Sequence, residues 1–478
     1  MKRKVTPVCT SVACALLGLL LIAAAPDEKS GGGGKGRGAG PGGQVEPAVV
    51  PPYLFNVWLC RPGADSVTVS VLAWEDMEGF IEYGPGPQRT EVMRLKSGEP
   101  QTVVLHGLQP DTAYDYRFAY RRGGGEMVRD VVRSFHTQRR PGSNFTFVMQ
   151  ADSHLDMSTD VRVYQQTLAN MLADKPDFLV DLGDTTMVDK FGSFYTRASS
   201  QYLAQRFYLG RVAHSVPVFF TLGNHDGEKG ERPEMAVWSL GMRKKFFPNP
   251  EPGGIYTGNG TLFENAGLLQ NYYAWEWGGA LFVVLDPFWS TTSRGGEDNW
   301  GATLGEAQYR WLTHTLEGSR APFKFVFIHH LAGGLGKDAR GGAGIAPYME
   351  WGGKNADGSE GFAARRPGWP LPIHALMVKH GVSAVFHGHD HLYVPEDLDG
   401  ITYQEVPQPG HPSGGTRSAE EYGYKGTVRG SSGHLRVIVK PGEARVEYVR
   451  SIVPGVTRDE IPNGNVEHSY SLKPFLRR

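Results

Sequence analysis

The stretch that decides the fold is Val216-Pro-Val-Phe-Phe-Thr-Leu-Gly-Asn-His-Asp226. Its apolar first part predicts a short buried strand that ends at Gly223. The loop that follows offers an amide oxygen on Asn224, a titratable ring on His225 and a carboxylate on Asp226. Taken alone, this tetrapeptide is equally consistent with a turn closed by an Asx hydrogen bond. Other strands of the chain decide between the two interpretations.

The same arrangement, an apolar run followed by metal-ligand side chains, recurs at four further positions. The runs are 145–149, 178–180, 325–328 and 383–386, and the side chains that follow them are Asp152 and His154, Asp184, His329 and His330, and His387, His389 and His391. Each strand end has an ordinary explanation by itself, but five of them in one segment argue against coincidence. Imidazole, carboxylate and amide ligands without cysteine suit Zn, Fe or Mn.

Strand and helix patterns alternate in this part of the chain. Apolar residues at helical spacing over 160–174 stand between two of the strands, which makes a β-α-β unit. A second helix is predicted near Leu304–Leu316 with Thr303 as its N-cap, and an edge hairpin is predicted over 435–448. The pattern predicts a layered α/β domain with its site at the strand ends. The long Gly-rich segment 331–370 is typical of a lid or binding loop.

The preceding segment, residues 51–138, has an all-β pattern. Short runs with period-two alternation, such as Ser66–Leu72, are separated by Gly and Pro turns, which is typical of a β-sandwich. The run Gly107-Leu-Gln-Pro-Asp-Thr-Ala-Tyr-Asp-Tyr-Arg117 resembles the signature of fibronectin type III-like modules. Its sequence holds no metal-ligand or nucleophile cluster, so we expect a structural role for this module.

The N-terminus carries the pattern of an export signal. Met1-Lys-Arg-Lys4 precedes the apolar segment Val12–Ala25, which is too short for a confident membrane span. We expect a signal peptide over 1–25, a flexible Gly-rich linker over 26–50 and a secreted or periplasmic mature protein; an uncleaved anchor is the alternative. After cleavage Cys60 is the one cysteine left, so no intramolecular disulfide can form.

The overall charge balance argues against some classes of partner, although a local charged patch is compatible with it. The chain has 49 Lys and Arg against 50 Asp and Glu, a net charge of −1. This balance gives no electrostatic basis for binding nucleic acid or an anionic membrane. We therefore expect a small-molecule substrate, with no stable membrane span after signal cleavage, and the oligomeric state stays open.

The ordered motifs resemble the calcineurin-like metallophosphoesterase superfamily, and its purple acid phosphatase branch in particular. The motifs are Asp152-x-His154, Gly183-Asp184, Gly223-Asn-His-Asp226, His329 and Gly388-His-x-His391. The resemblance covers about residues 145–391, and a preceding β-module matches the architecture of that branch. It implies a four-layer α/β/β/α domain, which we expect over 143–454 with a C-terminal tail over 455–478.

The resemblance also implies a site for two divalent or trivalent transition-metal ions, Fe, Zn or Mn. Its ligand set on this chain is Asp152, His154 and His391 for one ion, Asn224, His329 and His389 for the other, and Asp184 as a bridge between them. A metal-bound hydroxide would attack the phosphorus atom. His225 would stabilise the transition state or protonate the leaving oxygen, and Asp226 would orient His225.

The chain departs from that branch at some positions. Met187 stands where purple acid phosphatases have a tyrosine that ligates iron, so we expect neither a tyrosinate ligand nor a purple colour. The continuation Leu392-Tyr-Val-Pro395 replaces the branch's His-x-Tyr-Glu-Arg, which leaves the substrate preference open. We assign His329 rather than His330 as the ligand from its distance along the strand. His387 is expected to point to the opposite face of its strand.

The most direct interpretation is a secreted phosphomonoesterase with a binuclear metal centre. Its expected substrate contacts are Asn224, His225 and Arg366, and other polar or aromatic side chains available in the 331–370 loop are Arg365, Asn355 and Trp351. One alternative is a phosphodiesterase that acts on nucleotides or lipid head groups. Another is a binding protein that keeps the fold without turnover.

Overall fold

The structure is a computed structural model that describes residues 50, 53–86, 88–156, 158–292, 298–333 and 339–475. The predicted signal peptide, and the predicted linker up to residue 49, lie outside these residues. None of the helices in the described part of the chain has the length and apolar character needed to cross a bilayer.

The first part of the described chain is a β-sandwich, as the alternation of its apolar residues predicts. Its strands are β1 (Phe55–Cys60), β2 (Val67–Ala73), β3 (Met77–Tyr83), β4 (Gln88–Arg89), β5 (Met93–Leu95), β6 (Gln101–Leu105), β7 (Ala113–Arg121), β8 (Val128–Arg129) and β9 (Arg133–His136). One sheet has the order β1-β2-β6, and the other has the order β4-β3-β7-β8 with β5 paired to β3 and β9 paired to β7. Apolar side chains from both sheets form one core.

The second part contains the remaining strands and all the described helices. The strands are β10 (Phe145–Gln150), β11 (Phe178–Asp181), β12 (Val218–Phe220), β13 (Thr257–Gly258), β14 (Leu262–Phe263), β15 (Gly267–Leu268), β16 (Tyr273–Trp277), β17 (Ala280–Val284), β18 (Phe323–Phe327), β19 (Ala384–His387), β20 (Val394–Leu398), β21 (Ile401–Glu405), β22 (Gly433–Lys440), β23 (Glu443–Arg450) and β24 (Val466–Leu472). The helices are α1 (Val161–Ala173), α2 (Ser199–Ala213), α3 (Pro233–Phe246), α4 (Glu306–Gly318), α5 (Met349–Gly352), α6 (Phe362–Arg365), α7 (Ile373–Lys379) and α8 (Ser418–Glu421), with a 3₁₀ segment over Val188–Ala198.

Two large sheets face each other in this domain. Their strand orders are β12-β11-β10-β22-β23-β24 and β13-β16-β17-β18-β19-β21-β20. Aromatic side chains from both sheets, such as Phe147, Trp275 and Phe282, fill the space between them. Helices α1 to α3 cover the outer face of the first sheet, and α4, α5 and α7 cover the second. The predicted fold class, a β-sandwich followed by a four-layer α/β/β/α domain, is confirmed.

A buried arginine joins the two domains. Arg206 of α2 is fully buried, and its guanidinium donates to the Asn56 side chain, to the Ser70 carbonyl and hydroxyl, and to the Phe246 carbonyl. It also lies 4.7 Å from the centre of the Trp58 ring. This contact explains why all seven residues of β2 are buried, since one face of that strand packs on the sandwich core and the other on α2.

Three expectations about the elements need correction. Helix α4 begins at Glu306 with Gly305 as its N-cap, so Thr303 lies two residues before the cap; its hydroxyl accepts from the Gly305 N–H and donates to the buried Glu350. The predicted edge hairpin, β22 and β23, lies inside its sheet, because β22 pairs with β10. The edge strand on this side of the sheet is β24, so the predicted tail after residue 454 contributes a strand of the sheet.

Candidate metal centre

The predicted ligands lie at the carboxyl ends of adjacent strands. Strands β10, β11 and β12 run parallel, and the loops after them carry Asp152, His154, Asp184 and Asn224. Strands β17, β18 and β19 also run parallel, and the loops after the last two carry His329, His389 and His391. Because the two sheets face each other, these loops meet at one end of the domain.

The first cluster consists of Asp152, His154 and His391, whose ligand atoms all lie within 4.8 Å of one another. Asp152 Oδ1 is 3.5 Å from His154 Nε2 and 3.4 Å from His391 Nε2. The side chains of Asp152 and His154 are buried, whereas that of His391 is 35% exposed. The cluster therefore opens to solvent on the side of His391.

The second cluster consists of Asp184, His329 and His389, with the same limit of 4.8 Å between ligand atoms. His329 Nε2 lies 3.4 Å from Asp184 Oδ2 and 3.0 Å from Asn224 Oδ1. Asp184 Oδ2 also lies 3.6 Å from His154 Nε2, which belongs to the first cluster. One carboxylate oxygen thus faces an imidazole from each cluster.

Two orphaned atoms indicate that the first cluster fits a cation. Asp152 Oδ1 and His154 Nε2 are buried and have no hydrogen-bond partner among the described residues. Buried polar atoms without partners are rare and costly, and a metal ion between them would satisfy both. The donor set of imidazole, carboxylate and amide oxygen is the one that Zn, Fe and Mn prefer.

The electrostatics of the clusters also favour bound cations. Burial would raise the pKa values of Asp152 and Asp184, yet the neighbouring imidazoles hold both pKa values well below the usual range. Burial would lower the pKa of His329, but Asp184 and Asp152 raise it to about 9. Both carboxylates are therefore held in the ionised form, which is the form that ligates a metal ion.

Neighbouring groups fix the direction of two of the imidazoles. His329 Nδ1 lies 2.8 Å from the Leu182 carbonyl, and His154 Nδ1 lies 3.4 Å from Asp156 Oδ2. With Nδ1 engaged in this way, Nε2 of each ring is left to face its cluster. Asp156 was not among the residues predicted from the sequence, although its position two residues after His154 could have suggested it.

The backbone of the clusters is held in an unusual conformation. Five predicted ligands have positive φ angles: Asp152 at 57°, His154 at 24°, Asp184 at 51°, His389 at 84° and His391 at 60°. Such angles are uncommon for residues other than glycine, and they cost free energy that the surrounding structure must offset. Their concentration at one place is typical of a functional site.

His225 lies beside both clusters. Its Nε2 is 3.8 Å from Asp184 Oδ2, and its ring centre is 5.6 Å from that of His154. Its Nδ1 lies 2.7 Å from Oδ1 of Asp189, which sequence reasoning missed. Burial would raise the pKa of Asp189, but the bond with His225 and the nearby Lys229 lower it below the usual range.

The predicted role of Asp226 as the partner of His225 is therefore wrong. The Asp226 carboxylate accepts hydrogen bonds from the backbone N–H groups of Asp184, Thr186 and Gly223, and from the Thr186 hydroxyl. Because its acceptor sites are used by the two ligand loops, it fixes their relative position instead of orienting the imidazole. Burial and the nearby Asp184 raise its pKa to about 7.

The other histidines of the motifs lie next to the clusters. His330 packs its ring against Phe288 and His389, at 5.0 and 5.3 Å between ring centres. His387 lies on the opposite face of β19, where its Nδ1 is 2.7 Å from the buried Glu405. Met187 is also buried, so a thioether occupies the position that a tyrosine has in purple acid phosphatases.

The loop residues predicted to contact substrate have partners of their own. Arg366 donates to the buried Glu350 at 2.6 Å and to the Trp300 carbonyl at 2.6 Å. Arg365 pairs with Asp298, and Asn355 accepts a bond from the Trp300 indole. Trp351 is fully buried and donates to the Tyr403 hydroxyl, which corrects its expected availability to a ligand. These contacts hold the loop against the second sheet.

Comparisons with known proteins agree with this geometry. A family profile described as calcineurin-like phosphoesterase matches residues 145–393. No curated protein sequence matches the chain significantly.

Two solved structures are similar in fold. A structure of PhoD has 16% identity and a TM-score of 0.62, with 88% of this chain and 92% of PhoD covered. A purple acid phosphatase from yellow lupin seeds has 16% identity and a TM-score of 0.57, with 87% of this chain and 74% of the lupin protein covered. Because the family profile spans more than half of the chain, this protein belongs to the calcineurin-like phosphoesterase family and is a metal-dependent phosphoesterase.

Proposed function

We propose that this protein is a secreted phosphatase that hydrolyses phosphate monoesters at a pair of transition-metal ions. The observation that carries the proposal is the position of the Asp184 carboxylate, whose Oδ2 lies within 3.6 Å of His154 Nε2 and 3.4 Å of His329 Nε2. A shared carboxylate reduces the repulsion between two cations that are held close together. Monoesters are the proposed substrates because the fold is similar to that of a purple acid phosphatase.

The proposed ligand assignment follows the two clusters. The residues that would hold the first ion are Asp152, His154 and His391; those for the second are Asn224, His329 and His389; Asp184 would serve both. When bound, the two ions supply Lewis acidity towards the phosphoryl oxygens and lower the pKa of the attacking water.

His225 is the proposed catalytic residue of the chain itself. Its Nε2 lies 3.8 Å from Oδ2 of the shared carboxylate, which supports a role for the ring next to the bound phosphoryl group. In the imidazolium form, Nδ1 donates to Asp189 while Nε2 donates a proton to the leaving oxygen. Asp189 acts as a positioning residue, because the bond to Nδ1 fixes the plane of the ring. Asn224, whose amide oxygen lies in the second cluster, is proposed to share in binding the phosphoryl group.

Metal content and ester hydrolysis, measured together on the purified mature protein, test the proposal. We expect about two transition-metal ions per chain by mass spectrometry, and hydrolysis of nitrophenyl phosphate in preference to the bis-nitrophenyl ester. Protein stripped with a chelator and reloaded with Mn, Zn or Fe serves as the control. Preference for the bis-ester would replace the phosphatase proposal with a phosphodiesterase. Inactivity on both esters with the metals bound would refute hydrolysis at this site.

Secretion is proposed from the basic and apolar pattern of residues 1–25. N-terminal sequencing of the exported protein should begin near Pro26. An exported chain that keeps Met1 would contradict the proposed cleavage and favour an anchor.

A further inference from the structure

Lys229, close to His225 in the loop after β12, has an environment that the proposed chemistry does not yet explain. Its side chain is only 10% exposed, and its Nζ lies 3.3 Å from Oδ2 of Asp189. Lysine is almost never buried to this extent without a charged partner. Asp189 provides that charge, and it is the same carboxylate that binds His225 through its other oxygen at 2.7 Å.

The backbone around Lys229 is fixed on both sides. The preceding residue, Glu228, forms a buried ion pair with Arg243 at 2.6 Å, and that guanidinium also donates to the Leu269 carbonyl. The following residue, Gly230, donates to the Phe288 carbonyl, and a side chain at Gly230 would lie 2.0 Å from the Trp289 carbonyl oxygen. The backbone that carries Lys229 is therefore held in place beside Asp189.

The two oxygens of Asp189 have different partners as a result. With only the His225 bond, the carboxylate could rotate about its χ2 angle, which is a broad torsion. The ammonium on Oδ2 removes that freedom, because both oxygens are then engaged. Because both partners are charged, this contact is stronger than one between neutral groups.

We propose that Lys229 is a positioning residue for the reaction, which holds Asp189 so that Asp189 holds the His225 ring in its productive orientation. This inference rests on the proposed function, in which His225 protonates the leaving oxygen. Lys229 affects kcat by positioning Asp189, and it does not contact the substrate.

A double-mutant cycle tests this chain of contacts. Lys229→Met should lower kcat about tenfold and leave KM within about twofold, whereas Lys229→Arg should recover most of the rate. In an Asp189→Asn background, Lys229→Met should change kcat less than about twofold, because the group through which it acts is already altered. The matched control is Lys190→Met, which removes the same charge from an exposed side chain next to Asp189. Unchanged metal content and melting temperature would show that the variants are folded.

A second readout does not depend on activity. With histidine-selective 15N labelling, and His225→Gln to assign the signal, the Nδ1–H resonance of His225 should be visible in the unaltered protein and weaken in Lys229→Met through faster exchange. Multiplicative effects of the two substitutions on kcat, a raised KM, or an unchanged resonance would overturn the inference. Wild-type protein that holds its metals but hydrolyses no ester would refute the proposed function, and the resonance would still decide the role of Lys229.

Discussion

Asp189→Asn gives the sharpest test of how His225 is oriented. The substitution keeps the size of the side chain and its ability to accept a bond from His225 Nδ1, but it removes the negative charge. The existing bond is 2.7 Å long and joins an imidazole to a carboxylate whose pKa is held below its usual range. Bonds to a charged group contribute about 1.5–3 kcal/mol, compared with about 1 kcal/mol for a neutral pair.

The difference, about 0.5–2 kcal/mol, corresponds to a fall in kcat of about 2- to 30-fold. Asp189→Ala removes the whole bond, so the expected fall is about 10- to 150-fold. Both variants should be assayed on nitrophenyl phosphate at saturating substrate, with metal content measured on the same samples. Asp65→Asn, an exposed change in the sandwich, is the control. A kcat within twofold of wild type at full metal occupancy for both variants would refute the positioning role of Asp189.

Three other substitutions test separate parts of the molecule. His225→Ala should keep both metal ions and lower kcat about 10²- to 10⁴-fold, and a rate equal to wild type would contradict its role. Asp184→Asn should lose metal as well as activity by mass spectrometry, since this carboxylate faces both clusters. Burial lowers the pKa of His214 to about 4, below its value in the unfolded chain. The unfolded state therefore binds more protons, and the free energy of unfolding should fall as the pH drops from 6.5 towards 4. His214→Gln should reduce that fall in urea midpoints measured at pH 7.5 and 5, and an unchanged pH dependence would contradict the assignment.

The strands that carry the clusters are predictable because their signal is local. Runs such as Phe145–Gln150 and Phe323–Phe327 are buried on both faces, which gives the continuous apolar sequence of a central parallel strand. Ligand-type residues follow these runs directly, so the sequence brings them to the same end of the sheet. The prediction that these ligand residues lie close together therefore required only the topology of a layered domain.

Contacts between distant loops could not be predicted in the same way. Asp226 follows His225 in the chain, which suggested a partnership, but the turn directs its carboxylate to Gly223 N and Asp184 N. Asp189 reaches His225 from the start of the 3₁₀ segment that follows β11, and no periodicity of the sequence predicts such a contact. Strand β24 is polar and partly exposed, so it becomes a strand only by pairing with β23.

Helix α2 was also not predicted, for a different reason. Amphipathic helices show one apolar stripe, but α2 lies between the sandwich and the first sheet and is buried on nearly all sides. Several of its buried side chains are polar, including Gln201, Gln205 and Arg206, which breaks the apolar pattern further. Tertiary contacts thus determine this helix more than its own sequence does.

The contact between Arg206 and the sandwich has a consequence for how the two domains can be combined with those of other proteins. The Arg206 guanidinium of the catalytic domain contacts Asn56, Ser70 and the Trp58 ring of the sandwich. A chimera that took its sandwich from a relative lacking these groups would leave the buried guanidinium with the Phe246 carbonyl but without its partners on the sandwich, at a cost of several kcal/mol, which is on the order of the whole stability of a domain. The two halves are therefore expected to be inherited and exchanged as one unit, and a successful graft would have to carry both sides of this contact together.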